Sequence, residues 1–70
     1  MKINVKAVQV AMVDAGINFT QLYEQAHVTS NTALKFARIG GDATPKTFKK
    51  IADVLGVRPS SLAILDGPEQ

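Results

Sequence analysis

Seventy residues bound the chain to one domain around one small core. The absence of cysteine excludes disulfides and thiolate metal ligands as sources of stability. A net charge of +2, with 46% hydrophobic and 20% charged residues, fits an ordinary globular protein that tolerates a nucleic-acid partner without requiring one.

In chain order, Asn4 is placed to cap a first helix over about 5–15, with Ile3 and Val8 at the flanking staple positions. Val5, Val8, Met12 and Ala15 form one stripe at helical spacing, and Gly16 closes the helix. Valines at 5, 8, 10 and 13 weaken helix propensity, which leaves a short strand over 3–5 as the alternative start. On a helical wheel Ile3, Val10 and Val13 fall away from the main stripe. Surplus apolar surface of this kind points to a partner or dimer contact, or to one side packing under the last helix.

Residues 18–38 read as two short helices joined by a tight turn, a device for entering the DNA major groove. Asn18 caps the first of them, Gln21 completes a capping box, and Ile17 and Leu22 stand at its staple positions. Thr29 caps the second, whose opening residues Ser30, Asn31 and Thr32 are small and hydrogen-bonding. Further on, Thr44-Pro45 is a strong helix start, followed by Phe48, Ile51, Ala52 and Leu55 on one face and Gly56 at the end. Arg58-Pro59 opens a last short helix carrying Leu62 and Leu65. A single domain over 1–65 and a short flexible tail over 66–70 are therefore expected.

Lys35, Arg38, Lys46, Lys49 and Lys50 cluster between residues 35 and 50, opposed there only by Asp42. A solvated, solubilising face has the same composition. No apolar run approaches the ~18 residues of a bilayer span. Nor does the broken Val/Ala pattern after Lys2 and Lys6 read as a secretory signal, so a cytoplasmic location is expected.

Five short helices with this motif second and third resemble the lambda-repressor-like family, which includes the Cro and Xre-type regulators. The likeness spans about residues 4–65 and rests on three segments. These are Gly16-Ile17-Asn18 entering helix two, Val28-Thr29 entering helix three, and Pro45 with Ile51-Ala52-Asp53-Val54-Leu55-Gly56-Val57 in helix four. Phe19 stands where many members carry a phosphate-contacting glutamine, and His27 where they carry a turn glycine. Tyr23 and Ala33 exchange the usual small and β-branched pair, conserving volume. Met12 and Ala37 replace an arginine–glutamate pair, and losing both members leaves no orphan charge.

The resemblance implies an all-α, five-helix fold and a sequence-specific transcriptional regulator, most simply a repressor. It would be a two-fold dimer, formed through the domain itself, on double-stranded DNA with a near-palindromic operator. Ser30, Asn31, Thr32 and Lys35 have the chemistry to read bases: Asn31 suits adenine, and Lys35 reaches guanine or phosphate. Thr20, Gln21, Thr29, Arg38 and Gly41, within the Gly40–Asp42 loop, are the expected backbone contacts. The alternative is an antirepressor or modulator that uses the same fold, and the Ile3, Val10 and Val13 surface, to bind another regulator. An enzyme is not expected, nor is a metal, cofactor or small-molecule ligand. His27 is the lone histidine, and Asp14, Glu24 and Asp53 are scattered at no useful spacing.

Overall fold

A computed structural model describes residues 1–64, of which 69% are helical. Leu65 and the expected tail over 66–70 lie outside the described residues. The chain begins with a two-residue strand, β1 (Lys2–Ile3), followed by α1 (Val5–Ala15), α2 (Phe19–Ala26), α3 (Ser30–Leu34) and α4 (Pro45–Leu55). A π-helical turn over Lys35–Ile39 prolongs α3, since Leu34 and Lys35 keep right-handed helical dihedrals across the junction.

The expected fifth helix is not an α-helix. Pro59–Leu62 form a single 3-10 turn, and Ala63–Ile64 leave it as β2, antiparallel to β1. Proline starts the turn, but Ala63 is already extended, and its strand pairs Lys2 with Ile64 and Ile3 with Ala63. The first helix spans Val5–Ala15 as expected, whereas the strand lies at Lys2–Ile3 and shares only Ile3 with the alternative over 3–5, because Asn4 caps the helix and Val5 begins it.

Caps set the helix boundaries. The Asn4 side chain accepts from the Ala7 amide at 3.1 Å. Asn18 and Gln21 form the reciprocal box, at 2.8 and 3.0 Å. Thr29 and Thr44 accept from the Thr32 and Thr47 amides at 3.2 and 3.3 Å. Each bond satisfies an amide that the first helical turn leaves without an intrahelical acceptor. Gly16 and Gly56 end α1 and α4 in left-handed conformation. His27 ends α2 the same way at φ 58°, the one non-glycine residue with positive φ among those described.

The core is closed by Val8, Leu22, Phe36, Phe48, Ile51 and Leu62, all without appreciable exposure. Phe36 meets Phe48 edge to face, with ring centroids 4.9 Å apart. On α1 the buried positions are Val8 and Ala11, with Val5 and Met12 half-buried against them. Ala15, expected in the stripe, is exposed. It stands next to the Gly16 cap, where the chain is already turning away.

Candidate nucleic-acid interface

Three residues, His27 to Thr29, join α2 to α3. The left-handed His27 makes this turn tight, and its amide donates back to the Glu24 carbonyl at 3.4 Å. Because Thr29 supplies the cap, the side chains of the next residues are left for other work. Ser30 and Asn31 are exposed, and neither side chain has a hydrogen-bond partner among the described residues. Thr32 differs. It is half-buried, and its hydroxyl lies 3.0 Å from the Thr29 hydroxyl, so it belongs partly to the cap.

Lys35 also differs from expectation. Its ammonium donates to the Asp42 carbonyl at 3.1 Å, tying the helix to the loop that follows rather than extending freely. The loop is held from its other side by β1. The Ile3 amide donates to the Gly41 carbonyl at 2.8 Å, and Lys2 bridges to Asp42. Gly41 is thus exposed, but its carbonyl is engaged in the chain's own pairing. Gly40, at φ 86° and ψ −166°, takes a conformation essentially reserved for glycine, which lets the chain leave the helix abruptly.

The π-helical turn sets where the far end of this helix points. The Gly40 amide donates to the Lys35 carbonyl at 2.7 Å, five residues back, which widens the turn carrying Arg38 and Ile39. Both side chains are exposed. Gln9 of α1 completes the arrangement by donating from Nε2 to the Ala37 carbonyl at 2.8 Å. That carbonyl is one of those a helix end leaves without an amide partner. Gln9 was not legible as a site residue: a glutamine beside an apolar stripe carries no signal of what it will touch. α1 is thus joined to the end of α3 through a neutral side chain and a main-chain oxygen.

Thr20 and Gln21 are exposed in the first turn of α2. Arg38 lines an open groove with Met12, Val13, Ile17 and Phe19, next to the start of α2. Lys46, Lys49 and Lys50 are exposed on α4, where Lys49 pairs with Asp53 at 3.4 Å. Lys50 sits in a shallow depression with Gln25 and His27, beside the α2–α3 turn. Among the expected partner-surface residues, Ile3 is a correction. It is 3% exposed and part of the core, because β1 pairs it between β2 and the Gly41 carbonyl. Val10 and Val13 are 53% and 79% exposed.

No described helix is long and apolar enough to cross a membrane. Among the described residues no three His, Asp or Glu side chains come together as a metal site would require. The chain matches no protein-family model, no curated protein and no solved structure.

Proposed function

We propose that the protein is a sequence-specific DNA-binding regulator of Cro or Xre type, acting as a repressor through a lambda-repressor-like helix-turn-helix formed by α2 and α3. One observation carries the reading: α3 opens on Ser30 and Asn31, exposed and uncommitted, directly after a residue that has taken over the capping duty. A helix that presents free polar side chains at its N-terminal end suits the major groove, where asparagine pairs bidentately with adenine. Thr20, Gln21 and Arg38 are assigned to phosphates, which fix register without carrying sequence information. Lys35 is assigned to the loop in the free protein and to DNA only if it exchanges the Asp42 carbonyl for a base or phosphate. No catalytic step, cofactor or small-molecule ligand is part of this proposal, and its setting is the cytoplasm.

The test is a gel shift with a duplex covering the DNA upstream of its own gene, in the presence of nonspecific competitor. A discrete complex that survives competitor is expected. A complex lost in proportion to added competitor overturns sequence-specific binding. A second reading, a modulator that binds another regulator protein, draws on the exposed Val10 and Val13. It is distinguished by a stable complex with that regulator together with sequence-indifferent DNA affinity.

A further inference from the structure

On α1, Lys6, Val10 and Asp14 stand at i, i+4 and i+8 and so form a single row along the helix surface. All three are exposed, and neither Lys6 nor Asp14 forms an ion pair among the described residues. The row has a particular symmetry. A positive charge lies about 6 Å to one side of Val10 along the axis, and a negative charge about 6 Å to the other. Val13 stands in the adjacent row and is the most exposed large apolar side chain described. Ala7, in the row on the opposite side, is small enough to let another helix approach closely.

We infer that this face binds a second copy of the chain. Two α1 helices pack antiparallel about a two-fold axis at Val10, with Lys6 of each copy beside Asp14 of the other. An isologous contact requires a patch complementary to itself, and reversing this row places plus on minus at both ends. Parallel packing would set Lys6 on Lys6 and Asp14 on Asp14, so the charges select the antiparallel orientation. A crossing near −50°, where the i±4 rows of both helices run alongside one another, brings the charged ends together over Val10 and Val13. With one 11-residue helix per copy, the interface lies at the small end of the range for specific contacts, so association is weak and concentration-dependent.

The contact needs no DNA, so it is tested without any and stands or falls separately from operator binding. Sedimentation equilibrium of the full chain should show a reversible monomer–dimer system. Lys6→Glu sets two carboxylates against each other twice per dimer and should weaken association about tenfold, as should Asp14→Lys. The double exchange Lys6→Glu/Asp14→Lys should restore it. The chain contains no cysteine, so single cysteines report geometry cleanly. Val10→Cys should oxidise to a disulfide dimer, Lys6→Cys and Asp14→Cys should not do so alone, and a mixture of those two should cross-link. Circular dichroism checks that every variant is folded. A chain that stays monomeric at millimolar concentration overturns the inference. So does a dimer indifferent to both single charge exchanges, or a monomer that uses Val10 to bind a different protein.

Discussion

The side chain of Gln9 on α1 donates its Nε2 hydrogen to the main-chain oxygen of Ala37, 2.8 Å away and 28 residues later in the chain. Ala37 is 5% exposed, so its carbonyl has little water to fall back on. The bond lies within the π-helical turn that carries Arg38, and therefore links the first helix to the end of the helix proposed to enter DNA. Gln9→Ala should lower stability by about 1 kcal/mol, the ordinary cost of deleting one partner of a partly buried hydrogen bond. Amide exchange should quicken over residues 37–40 more than elsewhere. Unchanged denaturation midpoints for both Gln9→Ala and Gln9→Leu would show that water replaces the bond without cost.

His27 provides a second stability test. At φ 58° it holds a left-handed conformation that is unfavourable for a residue with a Cβ. His27→Gly should therefore raise stability by about 0.5–1 kcal/mol, the relief of strain being partly offset by the greater freedom of glycine in the unfolded chain. A loss of stability in chemical denaturation would mean that the imidazole contributes packing beside Lys50 that outweighs the strain.

The third prediction concerns the angle between α2 and α3. Ala33 is fully buried, while Tyr23 is half-buried against the core and meets Phe19 edge to face, with centroids 5.4 Å apart. Ala33→Ile should overpack this site and cost about 1–3 kcal/mol. Adding Tyr23→Ala should recover part of the loss, since residues sharing one space couple energetically. Strict additivity in the double-mutant cycle would place the two side chains in separate spaces.

These three cases also mark what was legible in the sequence. Helix boundaries were, because caps are local: Asn4, Asn18, Thr29 and Thr44 each act on an amide three residues ahead. The buried face of α4 was also legible, because Phe48, Ile51, Ala52 and Leu55 repeat at a period only a helix satisfies. The sequence was silent where the deciding partner is distant. Ile3 looked like surplus surface on a helical wheel, yet it belongs to a strand whose partners are Ala63 and Gly41. The last element was legible only at its start, Pro59 opening a short 3-10 helix that buries Leu62, because its extended exit is set by pairing with β1. For the candidate site, the exposed opening of α3 was readable from Thr29 onward. The engagement of Lys35 by Asp42 and of Ala37 by Gln9 was not.

The final prediction separates base reading from backbone contact within the proposed interface. Asn31 is exposed and uncommitted at the start of α3, so its amide is the group best placed to discriminate a base. Asn31→Ala should relax specificity at one operator position, by about 1–3 kcal/mol if the contact is bidentate, while other positions keep their preferences. Equal losses on every duplex would instead make Asn31 a positioning residue. Arg38 should behave in the opposite way. Arg38→Ala should weaken binding across all sequences and reduce the salt dependence by about one phosphate contact. For Lys35 the structure adds a condition, since its ammonium already holds the Asp42 carbonyl at 3.1 Å. If that bond persists on DNA, Lys35→Ala should leave the salt slope unchanged while loosening the Gly40–Asp42 loop, visible as faster amide exchange there. If Lys35 releases the loop to reach DNA, the salt slope should fall as it does for Arg38→Ala. Measuring both variants across a salt series on specific and nonspecific duplexes therefore decides whether Lys35 serves the loop or the operator. A salt slope untouched by either substitution would put this end of the helix away from the phosphates altogether.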